Sequence, residues 1–200
     1  MSQVAFAQLE TALGPMLAAR SRRGVAALSR DSGLEAFLGP LRRRFGGLIE
    51  PDPDALAPLA RQLDEYLAQR RRFFTIALDL TGLAPFDRAV YRAALAIPYG
   101  ATATYGELAA RVGSPRAARA VGNAMARCPL FPIVPCHRVV RASDGFSGWG
   151  ADPAVKHRLL DLEAAGPATD RSTSWRAPAS RPPRPPPSRT GWRRRRPGPC

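Results

Sequence analysis

Two hundred residues, 45% of them apolar, suffice for one ordinary domain or two small ones around a real core. No run approaches the roughly 18 apolar residues of a membrane helix, and Met1-Ser2-Gln3-Val4 lacks a signal-peptide pattern, so a cytoplasmic protein with no membrane partner is expected. Three cysteines (Cys128, Cys136, Cys200), no CxxC pair and two histidines argue against a disulfide framework or a closed zinc site, so no metal is expected. The net charge is +14, and every cation but Lys156 is arginine. Residues 167–200 carry +8 of this; the moderately basic remainder fits a polyanion such as nucleic acid, or equally a solvated basic surface.

Residues 1–80 read as a small N-terminal mixed sheet-and-helix domain. Met16 to Ala19 and Val25 to Leu28 are two short apolar runs around the polar turn Arg20-Ser21-Arg22-Arg23-Gly24, which predicts a pair of strands. Leu56, Leu59, Leu63, Tyr66 and Leu67 recur at helical spacing, with Pro58 placed in the first turn, where amides are unpaired anyway. Residues 73–79 alternate less cleanly and are a candidate third strand. Nothing catalytic stands out here, and structural support is the expected role.

Residues 81–165 read as a mostly helical C-terminal domain. Phe86, Val90 and Ala93 mark a helix ending before the turn signal Ile97-Pro98-Tyr99-Gly100. Thr104-Tyr105-Gly106-Glu107 is a capping box opening a helix to about Val112, which Gly113 closes. Ser114-Pro115 is expected to cap and open a second helix over 115–126, giving a helix-turn-helix. Ala117, Ala120, Gly122 and Ala124 make one face of it small, which suits close packing or close approach to a groove. Arg116 and Arg119 stand among them as candidate probes of a groove or base stack. Residues 166–200, rich in Pro and Arg, are expected to be a disordered tail.

The segment Ile133-Val134-Pro135-Cys136-His137-Arg138-Val139-Val140 brackets a reactive core with apolar residues. A cysteine is the best side-chain nucleophile near neutral pH once deprotonated, and a neighbouring base promotes that. Adjacent residues of a strand point oppositely, so Cys136 and His137 cooperate only if the backbone turns or a water bridges them; Pro135 supports a turn. Taken alone, the pair is better explained by a buried structural thiol beside an incidental histidine.

The wider pattern decides between these. Pro135-Cys136-His137-Arg138-Val139 resembles the active-site signature of the O6-alkylguanine-DNA alkyltransferase family. Ile97-Pro98-Tyr99-Gly100 with Thr104 to Ala109 is similar to the start of that family's helix-turn-helix, Ala118-Arg119-Ala120-Val121-Gly122 to its recognition helix, and residues 156–163 to its closing helix. The specific similarity covers residues 86–163.

The resemblance implies an α/β (α+β) fold, with an RNase H-like N-terminal domain before the helical one. It implies a single-turnover methylated-DNA–protein-cysteine methyltransferase that moves an alkyl group from guanine O6, with O4-alkylthymine a second candidate lesion, onto Cys136. No cofactor is implied. The implied partner is double-stranded DNA bearing O6-alkylguanine, flipped out and approached from the minor groove by a monomer. His137 is the implied base, acting through water, and Glu163 orients it, in the manner of a catalytic triad. Tyr105 is the implied proton donor to the base. Arg119 fills the vacated stack, with Arg116, Ala120 and Gly122 on the DNA side. Met125, Val139, Trp149 and Gly150 line the base pocket, with backbone groups of Cys136, Val139 and Gly150 on the base edge. The last helix is expected to be capped by Asp152-Pro153 and to bury Val155, Leu159 and Leu162.

There are departures from the family pattern. Cys128 stands where many relatives carry asparagine, Trp149 where tyrosine is commoner, and Gly150 where some have serine; the N-terminal zinc ligands of some relatives are missing. Two other functions compete: a lesion binder without chemistry, against which Cys136 argues, and a thiol hydrolase, which has no need of a helix-turn-helix.

Overall fold

The structure, a computed structural model, describes residues 4–30, 33–143 and 153–165. Three antiparallel strands, β1 (Val4–Leu9), β2 (Met16–Ser21) and β3 (Gly24–Ser29), form a meander. Helix α1 (Leu34–Phe45) follows, and β4 (Ile49–Pro51) then pairs parallel to β1, completing the order β3-β2-β1-β4. The strand period of two separates the faces. Leu17 and Ala19 join Phe37, Leu38 and Leu41 of α1 in one apolar cluster. Met16 and Ala18 join Leu56, Leu59, Leu63 and Tyr66 of α2 (Pro53–Leu67) in the main core. The sheet thus lies between α1 and α2.

The two expected strands are β2 and β3. Gly24, at φ 140°, is required where β3 begins: a Cβ there would lie 2.3 Å from the Ala77 carbonyl oxygen. Two expectations for this half need correction. The helix begins at Pro53, capped by the Asp52 side chain on the Ala55 amide (3.0 Å), so Pro58 lies inside it. A proline there costs about 3 kcal/mol, but fully burying Leu56, Leu59 and Leu63 returns roughly 2 kcal/mol each. Residues 73–79 form no strand. They touch β3 through one bridge, Val25 N–H to Ala77 O (2.8 Å) and Asp79 N–H to Val25 O (2.8 Å), while the Gln62 side chain takes the Thr75 amide. The sequence reading also missed β1, α1 and β4.

The second half is α3 (Pro85–Leu95), β5 (Ala103–Thr104), α4 (Tyr105–Arg111), α5 (Ala118–Ala126), a 3-10 turn (Cys136–Arg138), β6 (Val139–Val140) and α6 (Pro153–Ala165). The Thr104–Glu107 capping box is present, with Glu107 N–H on Thr104 Oγ1 at 3.1 Å and Thr104 N–H on Glu107 Oε2 at 2.6 Å. Gly113, at φ 76°, ends α4 as expected. Helix α5 starts later than Pro115: Ser114 O accepts from Ala117 N–H (2.8 Å), closing a turn, and Ala117 occupies the cap position. Of the small residues on this helix, Ala124 takes the close-packing alternative. It is fully buried and its carbonyl accepts from Tyr91 OH (3.0 Å), so it faces the core rather than a groove. The main core runs without a break from the sheet through α2 into this half. Among the described residues no helix is long and apolar enough to cross a membrane.

Candidate active site

The approach to the nucleophile is a series of turns, with Val134 N–H on Leu130 O (2.9 Å), and after Pro135 the chain forms one 3-10 turn over Cys136–Arg138, held by Arg138 N–H on Pro135 O (3.0 Å). Cys136 and His137 thus lie on a backbone turn rather than along a strand. Leaving the turn, β6 pairs parallel with β5, Ala103 opposite Val139 and Thr104 opposite Val140. The start of α4, with Tyr105, is thereby tied to the nucleophile segment. Cys136 is 1% exposed, and its Sγ lies 3.3 Å from Val134 O.

His137 is fully buried. Its Nε2 lies 2.8 Å from Glu163 Oε1 and 3.3 Å from Tyr66 OH, and the Phe131 ring meets it edge-on. Glu163, on the buried face of α6, is an acceptor for four groups. Oε1 takes His137, the Tyr66 hydroxyl and Arg138 Nη2 (2.8 Å); Oε2 takes the Gly100 amide (3.0 Å) and Arg138 Nε (2.9 Å). Arg138 also donates to Ile97 O (2.7 Å) and lies over the Tyr99 ring.

Burial works against the charge on Glu163, but hydrogen bonds and charges from His137 and Arg138 overcome it and hold the carboxyl at about 2. It is therefore ionised and can only accept. His137 Nε2 must then carry the proton, which leaves Nδ1 with its lone pair. Nδ1 is buried and has no hydrogen-bond partner among the described residues. Burial lowers the imidazole pKa, Glu163 pulls it back up, and Arg138 and Lys156 lower it again; the net shift is downward. A neutral imidazole is thus presented at physiological pH with Nδ1 able to take a proton. Tyr66 is driven the other way, first by burial and then by the Glu163 charge, so its hydroxyl stays protonated and donates.

With this geometry in place, residues 4–80 match the family model described as the ribonuclease-like domain of 6-O-methylguanine DNA methyltransferase, and residues 85–165 match that of its DNA-binding domain. The chain belongs to the 6-O-methylguanine DNA methyltransferase family. The methylated-DNA–protein-cysteine methyltransferase of Mycobacterium tuberculosis is 44% identical over 120 residues, 60% of this chain and 72% of the relative. That of Methanosarcina acetivorans is 34% identical over 160 residues, 80% of this chain and 98% of the relative. Among solved structures, the M. tuberculosis O6-methylguanine methyltransferase superposes with a TM-score of 0.70 at 36% identity, over 84% of this chain and 98% of that one. The M. tuberculosis protein in complex with DNA superposes at 0.68 and 35%, over 83% and 96%.

The methyltransferase-family site residues fall into two groups. His137 and Glu163 are in direct contact, with Cys136 next in sequence on the same 3-10 turn and the buried Val139 just after it. Tyr105 is half-buried; a Cβ on Gly122 would meet its ring at 3.8 Å, so α4 and α5 approach closely there. The second group lies on and just before α5, where Arg119 and Ala120 of the helix and Arg116 of the preceding turn are exposed and Gly122 is half-buried. Met125 points the other way, into the core at 1% exposure. The backbone of Val139 is largely engaged. Its N–H goes to Cys136 O and its carbonyl accepts from Lys156 Nζ (2.6 Å), leaving one acceptor direction for a base edge. Val155 and Leu159 are buried as expected and Leu162 is half-buried; Asp152, Trp149 and Gly150 lie outside the described residues, as does the tail.

Sequence reasoning missed Tyr66, Arg138, Lys156 and the Gly100 amide as parts of this site. Signals for three existed. A tyrosine on a leucine stripe needs a partner for its hydroxyl once buried. Arg138 stands inside the signature itself. Lys156, the chain's single lysine, lies beside Val155 on the buried face of α6. The Gly100 amide carries no sequence signal.

Proposed function

We propose that this chain repairs DNA by moving an alkyl group from guanine O6 to Cys136, once per molecule. The observation that carries the proposal is the ordered row of Cys136, His137 and the ionised Glu163 on one turn and one facing helix. Glu163 fixes the proton on Nε2, and Nδ1 takes the thiol proton through a bridging water. The thiolate then attacks the alkyl carbon in line with the C–O bond. That bond's electron pair goes to the guanine, and Tyr105 offsets the growing charge by donating a proton. The thioether has no good leaving group, so the protein is consumed. Residues 81–165 carry the chemistry and DNA binding, and residues 1–80 support them. The exposed Arg116, Arg119 and Ala120 approach a minor groove, with Arg119 filling the place of the extruded base, and the protein acts as a cytoplasmic monomer.

In the free protein Cys136 is buried, so its cover must part as the base enters. An oligonucleotide bearing O6-methylguanine tests the proposal by intact mass and fragmentation of the peptide covering 128–138. One methyl group on Cys136, lost in Cys136→Ala while lesion binding persists, is expected. Repeated release of product, or binding with no mass change, overturns it.

A further inference from the structure

A cleft of about 980 Å³ between α3 and residues 72–81 takes no part in the mechanism above. Helix α3 has two unlike sides. Val90, Tyr91 and Ala94 are buried, and Tyr91 OH reaches Ala124 O of α5. Arg88, Arg92 and Leu95 recur at helical spacing on the other side and line the cleft, which therefore lies away from α5. Its charge is unbalanced: five arginines line it against one aspartate. Arg138 is paired with Glu163, and Arg23 donates to Thr81 Oγ1 (3.0 Å). Arg72, Arg88 and Arg92 have no acidic partner among the described residues. Asp79 is already taken by the Ser21 hydroxyl (2.5 Å), the Thr81 amide (2.8 Å) and Arg44. Each wall also leaves a large apolar side chain exposed, Phe73 on one and Leu95 on the other.

One wall of the cleft carries a sheet edge. Leu78 bridges Val25 of β3 in parallel, and Val25 takes Ala77 O and Asp79 N–H. In a parallel ladder the residue between those two groups turns its own N–H and C=O to the far side. Those of Leu78 make no hydrogen bond among the described residues. A main-chain donor and acceptor are thus left open on a wall that also holds Ile76 and Leu80, facing the arginines of α3. We propose that the cleft binds an extended acidic peptide of a partner protein as an added strand. Its main chain pairs with Leu78, its carboxylates meet Arg72, Arg88 and Arg92, and its apolar side chains pack between Phe73 and Leu95. Charge excludes the nearer occupants: residues 167–200 carry +8, and a second copy of the chain carries +14. A nucleic-acid strand would satisfy the arginines, but it has no alternating amides and carbonyls to pair with the Leu78 edge. The proposal does not rest on alkyl transfer.

The test titrates the full chain, by calorimetry, with a capped peptide of alternating valine and glutamate about six residues long, the length of an ordinary strand. Micromolar binding at low salt is expected, weakened about tenfold or more when glutamine replaces glutamate and again in the Arg88→Glu, Arg92→Glu double variant. That variant should move alkyl groups at the parent's rate, because neither arginine touches the relay. Along a strand the valine amides point to one edge and the glutamate amides to the other. Methylating one set of amides should therefore abolish binding while methylating the other set leaves it. This comparison uses the unsubstituted chain, so it stands even if the double variant misfolds. No heat at millimolar peptide, equal binding by the two methylated peptides, displacement by oligothymidylate, or a peptide that acts by dissociating a dimer of the chain overturns the proposal.

Discussion

Replacing Glu163 by glutamine removes one charge from the point where both halves of the molecule meet. The carboxylate accepts from His137, Tyr66, Arg138 and the Gly100 amide, and it is 3% exposed. A glutamine keeps one acceptor oxygen but turns an amide donor toward groups that are themselves donors, and it leaves the Arg138 charge buried without its counter-ion. Breaking such a pair from one side costs about 3–5 kcal/mol. A separate route gives a similar figure: holding the carboxyl at about 2 rather than its usual 4.5 corresponds to roughly 3 kcal/mol of native-state preference for the charged form. Because the folded pKa is depressed, this stability is present above pH 4.5 and drains away as pH falls toward 2. Urea unfolding at pH 7 should therefore show Glu163→Gln weaker by about 3–5 kcal/mol, and a series from pH 5 downward should show the variant without the steep loss between pH 4.5 and 2. Adding Arg138→Met should recover at least about 1 kcal/mol, since the orphaned charge is then gone. In alkyl transfer the variant should be slower by about a hundredfold or more, because the tautomer that frees Nδ1 is no longer imposed. A variant within about 1 kcal/mol of the parent at pH 7, with the same acid limb, refutes the reasoning.

Three further outcomes follow from other parts of the molecule. Arg119→Ala should slow repair in duplex about tenfold or more while leaving reaction with free O6-benzylguanine nearly unchanged, as one stacking-scale contact of roughly 1–3 kcal/mol is lost; equal losses on both substrates remove Arg119 from the groove. Deleting residues 167–200, which carry +8, should lower DNA affinity mainly at low salt and flatten the plot of log affinity against log salt; an unchanged slope takes the tail out of binding. Gly24→Ala drives a methyl to 2.3 Å from Ala77 O in a backbone at φ 140°, so thermal unfolding should show a loss of about 2 kcal/mol or more, and an unshifted midpoint contradicts the close approach.

What the sequence made legible divides by the range of the interactions involved. The capping box at Thr104, the closing Gly113 and the β2–β3 hairpin are local devices, spelled within a few residues, and each is found where its chemistry predicts. The elements missed or misplaced depend on distant partners. Strand β4 is three residues long and exists because β1 lies open beside it. Helix α2 tolerates Pro58 because tertiary burial of its leucines outweighs a local penalty. Residues 73–79 have strand-like composition, but the Gln62 side chain and a single bridge to β3 satisfy part of their backbone instead. At the site, Cys136, His137 and Glu163 were legible through the family resemblance, whereas Tyr66, Lys156 and the Gly100 amide come from other segments and are joined to the signature only in three dimensions.

That junction bears on why the N-terminal half is more than a passive neighbour. Tyr66 belongs to α2, a helix whose remaining buried face packs on the sheet, yet its hydroxyl reaches the carboxylate that orients His137. Gln69, just past the end of the same helix, donates to Leu162 O (2.6 Å), one residue before Glu163. The final helix is therefore held from the N-terminal half at two adjacent points, one of them the Glu163 carboxylate itself. A rigid relay suits a reaction that occurs once: there is no product to expel from the sulfur, so nothing is gained by loosening the groups around it after transfer. The motion that the proposed chemistry requires is at the buried Cys136, which must be uncovered for the incoming base.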